Sequence, residues 1–518
     1  MKAALSSQMR KIDSDAVRIY GIPGVLLMEN AAIKLCYHIV DVEKYKNEKI
    51  CIVCGKGNNG GDGFTAARHL ALSGRSVIIY LIGAGKDLKG DALTNYIIDK
   101  NMGIEIYEVR SMDGLNLLKK DIKGSGIVVD GLLGTGIKGE VKGLYKDIID
   151  IINENARFVV SIDIPSGVDA DTGKVSGAAV LADRTVTFAL PKIGLYTFPG
   201  ADHAGRVYIE DISMPHELIE RQNINTGILT ESDISNVFLP RKRDSNKGTY
   251  GRALIIGGSE NMMGAPVMSI LSALRCGAGL VEACVPSSIQ QRVAPLAVEA
   301  IVKGVKDEDG IICSNALDEI LDSLKHASSY AIGPGLTASE RLLDILSNVI
   351  EEADVPGVID ADGLNVLSLD KSILKESKSQ IIITPHPGEM ARLLKSSIKD
   401  IQSDRIGCAR EFSSEFGAIT VLKGANTVIA SPNGEVFINT TGNPGMAKGG
   451  SGDILTGMIA SLLAQGIEPY EACKAGVFVH GRAGDIALQH KGEYGMKARD
   501  IIDSIPDAIL SINCKSID

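Results

Sequence analysis

Short apolar runs recur along the first half of the chain, and longer amphipathic stretches separate them. ICIVC, SVIIYLIG, GIVVD and FVVSIDIP are such runs, whereas FTAARHLALSG has the periodicity of a helix. Short apolar runs alternating with helical stretches are typical of βαβ units in a parallel sheet. The pattern therefore predicts an α/β fold for this half of the chain.

The second half also alternates short apolar runs with longer helical stretches, although its sequences differ from those of the first half. ALIIGG, YAIGPG, GVIDADG, QIIITPHPGE, ITVLKGAN and TVIASPNG are predicted strands, and APVMSILSALRCGAGLV is a predicted helix. Between the halves, residues 215–248 are polar and rich in turn formers. We expect one domain at residues 1–225 and a second at 226–518. The basic cluster Arg241 to Arg243 fits a solvated linker better than an anion site, and both interpretations stay open.

The composition is that of an ordinary globular protein. The chain has 518 residues, of which 45% are hydrophobic and 23% charged, and its net charge is −10. At roughly 100–200 residues per domain, this length predicts two or more domains. The acidic balance argues against nucleic-acid partners, and no apolar run is long enough for a membrane span. MKAALSSQMRKIDSDAV lacks the apolar core of a secretory signal, so we expect a cytoplasmic protein.

The cysteines fit reduced thiols in a cytoplasm. They are odd in number and most lie inside apolar segments, at positions 36, 51, 54, 276, 284, 313, 408, 473 and 514. Cys51 and Cys54 have the C-x-x-C spacing of a redox or zinc half-site. Because no second C-x-x-C exists, the favoured interpretation is two small hydrophobic residues in a buried strand.

The first glycine-rich motif, GKGNNGGDG at residues 55–63, matches G-x-G-x-x-G between a predicted strand and a predicted helix. The next predicted strand ends in YLIGAGK, without the acidic residue that holds an adenine ribose. An NAD-dependent dehydrogenase is therefore disfavoured. Asn58, Asn59 and Asp62 suit the polar groups of a ligand or a hard cation. A plain turn fits the motif equally well.

Two further strand ends carry polar residues. Asp130 ends the run GIVVD, and Asp163 and Ser166 follow the run FVVSI. In an open α/β sheet, ligands bind outside the carboxyl ends of the strands. Three polar strand ends together therefore predict a ligand site in the first half.

A second glycine-rich motif, GNPGMAKGGSGD at residues 442–453, lies between a predicted strand and a predicted helix. Such a turn at a helix N-terminus cradles an anion, although the Lys-Ser/Thr of a Walker motif is absent. Asp453 can take the proton of an attacking hydroxyl while backbone N–H groups hold a phosphoryl group. A simple helix cap is the alternative.

Four other polar residues of the second half have two interpretations each. His386 suits a phosphate or an amide, or is a structural turn histidine. Lys423 suits a phosphate, or is a solvated surface charge. Asp360 and Asp362 suit magnesium, or cap the next helix, with neither interpretation favoured.

The first half resembles the NAD(P)H-hydrate epimerase family in four motifs, YGIPGVLLMENAA, GKGNNGGDGF, VVDGLLGTGIKG and SIDIPSGVDADTG. The resemblance implies a Rossmann-like three-layer domain that interconverts the R and S epimers of hydrated NADH or NADPH. It implies a potassium ion on Asn59, Asp130 and Ser166, and Asp163 as the acid/base residue. The implied substrate contacts are Asn58, Asn59, Gly60, Gly61, Asp62, Gly134, Thr135, Gly136, Ile137, Lys138, Gly139 and Glu140.

The second half resembles the NAD(P)H-hydrate dehydratase family, a member of the ribokinase-like superfamily. KGTYGRALIIGGSENMMGAP, AIGPGLT, VIDADGLN, IITPHPGEMARLL and LKGANTVIA carry this resemblance, which with the first half covers nearly the whole chain. It implies a ribokinase-like three-layer domain. The implied nucleotide contacts are Lys423, Gly424, Ala425, Asn426, Thr427 and Gly452. The implied contacts to the hydrate are Ala265, Gly335, His386 and Asp453, with Asp453 catalytic.

The implied reaction repairs damaged cofactor. The domain would dehydrate the S hydrate to NAD(P)H at the expense of ADP, giving AMP and phosphate, with a magnesium ion as its cofactor. The fused bacterial architecture implies ADP, whereas the residues themselves do not distinguish ADP from ATP. Phosphorylation turns the hydroxyl of the hydrate into a good leaving group, which the lone pair of the ring nitrogen can expel. The epimerase would supply the epimer that the dehydratase accepts.

Three matters stay open at the level of sequence. A ribokinase-like small-molecule kinase with an accessory nucleotide-binding domain is an alternative, and so is a non-catalytic nucleotide-sensing module. By resemblance the protein is expected to be a homo-oligomer. The apolar stretch GVLLMENAAIKL suits an interface or a core equally well.

Overall fold

The structure, a computed structural model, describes residues 1–137 and 139–513. Lys138, an implied substrate contact, and Cys514 lie outside the described residues. The chain divides into an N-terminal unit, Lys2–Thr226, and a C-terminal unit formed by Met1 and the chain from Gly227 onward. No helix in the described part of the chain combines the length and the apolar character needed to cross a membrane.

The N-terminal unit is built on a parallel sheet with the strand order β3-β2-β1-β4-β5-β6-β7. Its strands are β1 Ile50–Cys54, β2 Val77–Ile82, β3 Glu105–Val109, β4 Ile127–Gly131, β5 Val159–Ile162, β6 Arg184–Phe188 and β7 Arg206–Glu210. The order 3-2-1-4-5-6 is that of dinucleotide-binding folds, so the Rossmann-like expectation is confirmed. The apolar runs did not indicate β3 or β7, because these strands form the edges of the sheet and alternate polar with apolar residues.

Helices cover both faces of this sheet. They are α1 Ser6–Tyr20, α2 Gly24–Val40, α3 Asn58–Leu72, α4 Gly90–Asn101, α5 Met112–Gly124, α6 Leu144–Asn155, α7 Gly200–Ala204 and α8 His216–Glu220. Within β1, Ile52 and Cys54 pack in one hydrophobic cluster and Cys51 and Val53 in another. Since successive side chains of a strand point to opposite faces, the two clusters are the two interlayer cores of a three-layer unit.

The C-x-x-C pair is structural. Cys51 and Cys54 are both fully buried and lie on opposite faces of β1, so they cannot share a metal or form a disulfide. Burial raises the pKa of both thiols. The interpretation of these cysteines as small hydrophobic residues is confirmed, and the eight cysteines in the described ranges are all free thiols.

The C-terminal unit holds a mixed sheet with the strand order β11-β10-β9-β14-β15-β16-β17-β18-β19-β8. Its strands are β8 Thr226–Ile228, β9 Arg252–Ile256, β10 Leu280–Pro286, β11 Ile301–Val305, β14 Ser329–Ile332, β15 Gly357–Ile359, β16 Ile381–Ile383, β17 Ile419–Leu422, β18 Thr427–Ala430 and β19 Val436–Asn439. β12 Asp307–Glu308 and β13 Ile311–Ile312 form a separate small hairpin. Pairing is parallel from β11 to β17, and β17, β18 and β19 pair antiparallel.

Helices also cover both faces of the second sheet. They are α9 Glu231–Ile234, α10 Gly264–Cys276, α11 Ser287–Val293, α12 Leu317–Leu324, α13 Leu342–Glu352, α14 Asp362–Leu367, α15 Pro387–Leu394, α16 Ile398–Ser403, α17 Arg405–Phe416, α18 Ser451–Ala464, α19 Pro469–Gly495 and α20 Ala498–Asn513. Ile255 of β9 faces one core, and Leu254 and Ile256 face the other. The unit is therefore also three-layered.

Part of the basic cluster belongs to the packing of the C-terminal unit. The guanidinium carbon of Arg241 lies 3.8 Å from the ring centroid of Tyr250, and its Nη2 donates to the carbonyl of Gly277. Stacking on an aromatic face is a common use of arginine. Arg241 is therefore a structural residue, whereas Lys242 and Arg243 are exposed, as expected for a solvated segment.

Candidate active sites

The carboxyl ends of β1, β4 and β5 in the N-terminal unit open onto a cavity of about 580 Å³. This volume is within the usual range for a small-molecule site. The implied contacts that line the cavity are Asn58, Asn59, Asp62, Gly134, Thr135, Gly136, Ile137 and Asp163. Residues of α1 and α2 form another part of the lining, including Arg10, Asp13, Leu27 and Met28.

Close backbone packing explains several glycines around this cavity. A Cβ atom on Gly55 would lie 2.0 Å from the carbonyl oxygen of Leu132, and one on Gly60 would lie 2.0 Å from the carbonyl oxygen of Gly55. Only glycine permits these approaches. The helix α3 begins at Asn58, so residues 58–63 form its first turns and not a loop before it.

Four implied contacts do not line this cavity. Gly60 and Gly61 are buried in α3, where a Cβ on Gly61 would lie 2.6 Å from the Cε of Met28. Gly139 and Glu140 follow the lining segment, and the carboxylate of Glu140 pairs with Lys142 at 2.7 Å. The cavity residues nearest in sequence are Asp62 and Ile137, so the structure places these four beside the cavity and not in its wall.

Asn59, Asp130 and Ser166 come together, as the resemblance implied. The hydroxyl of Ser166 donates to Oδ1 of Asp130 at 2.5 Å, and its backbone N–H donates to Oδ2 at 2.9 Å. The side-chain amide of Asn59 donates to the carbonyl of Leu133 at 3.0 Å, and the same carbonyl accepts from the Ser166 hydroxyl at 3.1 Å. The side chains of Asn59, Asp130 and Ser166 and the carbonyl of Leu133 thus form one cluster with carboxylate, hydroxyl, amide and carbonyl groups.

The buried charge of Asp130 bears on whether this cluster could hold a cation. Asp130 is fully buried, and its hydrogen-bond donors are Ser161, Ser166 and the backbone of Leu132. No cationic side chain in the described ranges pairs with it, and burial raises its pKa despite these bonds. A buried carboxylate without a counter-charge is costly. The oxygen-rich cluster therefore has the ligand types that a hard cation prefers.

Asp163 is held by a buried lysine. It follows β5 directly with a φ of 65°, a left-handed conformation that is uncommon outside glycine and clusters at functional sites. Its Oδ1 accepts from the ammonium of Lys192 and, at 3.0 Å, from the hydroxyl of Thr187. Lys192 is only 2% exposed. Lys192 was not predicted from the sequence, although a lone lysine in the apolar segment LPKIGLY was a usable signal.

Two more carboxyl groups face the same cavity. Burial raises the pKa of Asp13 to about 6, against the opposing charge of Lys192. Burial, followed by Asp163 and Asp13, raises the pKa of Asp62 well above its usual range. Asp13 was not found from the sequence, because MRKIDSDAV has the pattern of an ordinary solvent-facing helix.

The second candidate site lies at the N-terminus of α18, as the glycine-rich motif predicted. Gly450 has a φ of 95° immediately before Ser451, the first residue of the helix. Asp485 of α19 accepts hydrogen bonds of 3.0 Å from the backbone of Gly442 and from the side-chain amide of Asn443. The motif is therefore fixed at both ends, which presents the first N–H groups of α18 in a defined position.

The ion pair between Lys423 and Asp360 lies beside Asp453. The ammonium of Lys423 lies 2.6 Å from Oδ1 of Asp360, and the hydroxyl of Thr456 lies 2.6 Å from Oδ2 of the same carboxylate. A Cβ on Gly452 would lie 3.1 Å from the Nζ of Lys423, so the ammonium reaches the start of α18. The alternative of a solvated surface lysine is therefore wrong for Lys423, which pairs with a carboxylate that is 1% exposed.

The charges of this group are coupled. Burial and then Asp360 raise the pKa of Asp453 to about 6, although Lys423 opposes them. Burial also acts to raise the pKa of Asp360, but Lys423 and the hydroxyl of Thr456 hold it below its usual range. Asp453 is thus poised between its two protonation states near neutral pH, which suits a general base.

Asp360 and Asp362 have separate structural roles. Asp362 begins α14 and accepts from the backbone of Thr337 at 3.0 Å and from the side chain of Asn365 at 3.2 Å. Asp362 thus makes no cap bond to the backbone of α14, and Asp360 pairs with Lys423, so the alternative of a helix cap is wrong for both residues. The described ranges contain no group of three His, Cys, Asp or Glu side chains placed to hold a metal ion.

His386 is the N-cap of α15. Its Nδ1 accepts the backbone N–H of Gly388 at 2.9 Å, and the carboxylate of Glu389 accepts the backbone N–H of His386 at 2.7 Å. Burial, followed by Lys423, lowers the pKa of His386. Because Nδ1 is an acceptor, the ring is neutral with its proton on Nε2. The structural alternative therefore holds, and half of the side chain stays exposed.

The implied nucleotide segment, residues 423–427, is preformed by Arg405. This arginine is 7% exposed and donates to the carbonyls of Leu422 at 2.9 Å and Ala425 at 2.7 Å. Gly424 has a φ of 147°, and a Cβ there would lie 2.9 Å from each terminal guanidinium nitrogen. Arg405 was not predicted from the sequence, because it begins α17 and its partners lie 17 and 20 residues further along the chain.

The two remaining implied contacts are neighbours. Gly335 has a φ of 68°, and a Cβ there would lie 3.0 Å from the Cβ of Ala265. Ser269, one turn along α10 from Ala265, donates to the backbone carbonyl of Asp453 at 2.8 Å. The helix α10 therefore links these two residues to the start of α18.

Comparisons with known proteins agree with this geometry. Residues 253–507 match the family model described as NAD(P)H-hydrate dehydratase, and residues 25–194 match the model described as YjeF-related protein N-terminus. The bifunctional NAD(P)H-hydrate repair enzyme Nnr of Moorella thermoacetica is 40% identical over 98% of this chain and 96% of its own. The enzyme of the same name from Thermofilum pendens is 36% identical over 99% of this chain and 97% of its own.

A solved structure covers the C-terminal unit. The ADP/ATP-dependent NAD(P)H-hydrate dehydratase from Bacillus subtilis, co-crystallised with ATP and Mg²⁺, is 29% identical, with a TM-score of 0.50. It matches 56% of this chain and 99% of its own length. The expected ribokinase-like fold of the second half is thereby confirmed. The chain belongs to the family of bifunctional NAD(P)H-hydrate repair enzymes.

Proposed function

We propose that this chain repairs hydrated NADH and NADPH with two active sites. The N-terminal unit interconverts the R and S hydrates, and the C-terminal unit dehydrates the S hydrate with ADP, giving AMP and phosphate. The observation that carries the proposal is the similarity to bifunctional repair enzymes over nearly the full length of both chains. The cavity of the first unit and the poised Asp453 of the second support it independently.

In the C-terminal site, the hydrate's hydroxyl attacks the terminal phosphoryl group of the nucleotide. Asp453 takes the hydroxyl proton, and the N–H groups at the start of α18 together with Lys423 stabilise the transferred phosphoryl charge. The phosphate then leaves, driven by the lone pair of the ring nitrogen, and the dihydropyridine ring is restored. Ala265, Gly335 and His386 are proposed to contact the hydrate.

The nucleotide is proposed to lie on Lys423–Thr427 and Gly452. The Arg405 contacts support this assignment, because they order residues 422–425 before any ligand binds. ADP as the donor follows from the two-unit architecture. Magnesium would be held mainly by phosphate oxygens, since no cluster of three metal-binding side chains occurs in the described ranges. It would neutralise phosphate charge there.

In the N-terminal site, Asp163 is proposed as an acid/base residue, and the ammonium of Lys192 holds its carboxylate in position through a hydrogen bond. Potassium is proposed on Asn59, Asp130 and Ser166, where it would supply the counter-charge that buried Asp130 lacks. The lining residues of segments 58–62 and 134–137 are proposed to contact the hydrated nucleotide. Gly60, Gly61, Gly139 and Glu140 are proposed only to shape those segments.

Nucleotide stoichiometry tests this proposal. One AMP and one phosphate should appear for each NADH restored from the hydrate, and simple alcohols should not stimulate ADP consumption. ADP consumption that follows a free alcohol in place of the hydrate would favour the small-molecule kinase. The small-molecule kinase is the weaker alternative because it assigns no function to the cavity of the N-terminal unit.

A homo-oligomer is proposed by resemblance to the family. The helix α2 contains the candidate interface stretch GVLLMENAAIKL, and it contributes residues to both a core and a surface. Leu27 and Leu35 are buried, whereas Leu26 is 48% exposed and Tyr37 is 63% exposed.

A cytoplasmic location is proposed because the eight described cysteines are free thiols, as in a reducing compartment.

A further inference from the structure

The epimerase cavity contains two carboxyl groups that the mechanism above does not use. Asp13 of α1 and Asp62 of α3 line the cavity together with Asp163. No hydrogen-bond donor in the described ranges bonds the carboxyl of Asp13 or Asp62, whereas Asp163 accepts from Lys192 and Thr187. Both carboxyl groups therefore face the cavity without a protein partner in the described ranges and are available to a bound ligand.

The surroundings of the three carboxyl groups differ. The ammonium of Lys192 donates directly to the carboxylate of Asp163. Burial raises the pKa of Asp13 to about 6, because Lys192 offsets only part of that effect. Burial and the neighbouring Asp163 and Asp13 raise the pKa of Asp62 well above its usual range. Asp13 is therefore a cavity-lining carboxyl group that can both release and take up a proton near neutral pH.

We propose that Asp13 is the second proton-carrying residue of the epimerase site and acts with Asp163 on the two faces of the hydrated ring. This inference rests on the proposed epimerase function. Asp13 reaches the cavity from α1 and Asp163 from the end of β5, so the two carboxyl groups belong to different parts of the cavity wall. The proposal places the hydrated ring between them.

Epimerisation needs two such groups because the hydroxyl leaves one face and returns to the other. A protonated carboxyl gives its proton to the hydroxyl oxygen, the C–O bond breaks, and water leaves as the ring nitrogen's lone pair forms a C=N bond. Water then adds to the opposite face, the nitrogen recovers its lone pair, and the ionised carboxyl there takes the excess proton. The two carboxyl groups end with their protonation states exchanged, and proton exchange with solvent resets them.

Other charged groups of the cavity bear on the pH dependence of Asp13. Lys192, Asp163 and Asp62 face it, and the remaining charged side chains of the lining are Arg10, Lys56 and Asp91. As the proposed proton donor, Asp13 must hold its proton, so epimerisation should fall as the pH rises above the Asp13 pKa of about 6.

The test uses the full chain without ADP, so that only epimerisation proceeds, and follows R and S NADH hydrate by chromatography. Asp13→Asn should lower kcat roughly 10²- to 10⁴-fold in both directions while KM changes little, and Asp13→Glu should restore part of it. The alkaline limb of the pH profile should be lost from the residual activity. Asp15→Asn is the matched control, since Asp15 lies on the same helix but pairs with Lys11 and Arg18 outside the cavity.

Oxygen exchange provides a second readout that a merely structural role of Asp13 would not change. In H₂¹⁸O, wild-type epimerisation should place one labelled oxygen in each epimer formed, because water leaves and another adds. Wild-type rates in Asp13→Asn, or epimerisation without label, would overturn the proposal for Asp13 while leaving the epimerase function intact. Absence of epimerisation in the wild type would overturn both. The melting temperature of Asp13→Asn should not fall, because Asp13 is exposed to the cavity and no donor in the described ranges bonds it.

Discussion

Asp453 must be ionised to accept a proton, and its surroundings make that condition dependent on pH. With its pKa raised to about 6, dehydratase kcat/KM should be steady above that pH and decline below it. Asp453→Asn should lower kcat roughly 10²- to 10⁴-fold and leave nucleotide binding intact. The measurement is the rate of NADH recovery from the S hydrate with ADP across the acidic range. A flat profile through pH 6 would argue against Asp453 as the base.

The same residue makes a prediction about stability. The folded-state pKa of Asp453 lies above its ordinary value of 3.8, so ionisation costs stability as the pH rises from about 4 to about 6. Asp453→Asn removes that cost and should raise the melting temperature at pH 7. This result would also show that lost activity in the variant is not a failure to fold.

Asp360 is expected to position Lys423. In Asp360→Asn the ammonium stays buried without its carboxylate, so dehydratase kcat/KM should fall at least about tenfold and the melting temperature should drop. Asp370→Asn is the matched control, because Asp370 only caps an exposed turn of the same unit. A double variant, Asp360→Leu with Lys423→Met, should regain stability but not activity. Regained activity would show that Lys423 has no part in the reaction.

The site residues that the sequence predicted differ from the others in one respect, which is whether a local sequence pattern marks them. Asp130, Asp163 and Asp453 end apolar runs or glycine-rich motifs, so local pattern marks them. Lys192, Asp13 and Arg405 act through contacts with residues distant in sequence. Local patterns do not encode such contacts, and these residues emerged only from the three-dimensional structure.

At the scale of elements, α15 offers a way to separate structural from functional roles. His386 caps this helix through Nδ1, so His386→Ala should cost about 1 kcal/mol of stability, whereas asparagine is a good N-cap and should cost little. Both variants lose the Nε2–H that would meet the hydrate. Equal losses of activity with unequal melting temperatures would support a substrate contact. Wild-type activity in His386→Asn would limit His386 to capping.

Close packing against α10 fixes the position of the start of α18. A Cβ on Gly457 would lie 2.0 Å from the carbonyl oxygen of Ser269, so glycine lets α18 pack directly on α10. Ser269 also bonds the carbonyl of Asp453. The sequence predicted this helix and the parallel strands from apolar runs. It missed edge strands such as β3 and β7, because their polar alternation lacks a continuous apolar signal.

At the scale of the whole molecule, the two units should act in series. Asp163→Ala should leave dehydration of pure S hydrate unchanged, while recovery from a mixture of epimers should stop near the S share over short times. Short times matter because the epimers also interconvert spontaneously. Complete recovery in this variant, at the wild-type rate, would mean that the N-terminal unit contributes nothing to turnover.

The most direct test of the account is the turnover of a mixed-epimer NADH hydrate by the purified full chain with ADP. The return of the near-ultraviolet absorbance of NADH reports the reaction. If both sites act, both epimers should be recovered completely and faster than spontaneous epimerisation allows. Recovery of the S share alone would contradict the epimerase assignment, and no recovery with ADP or ATP would contradict the repair function itself.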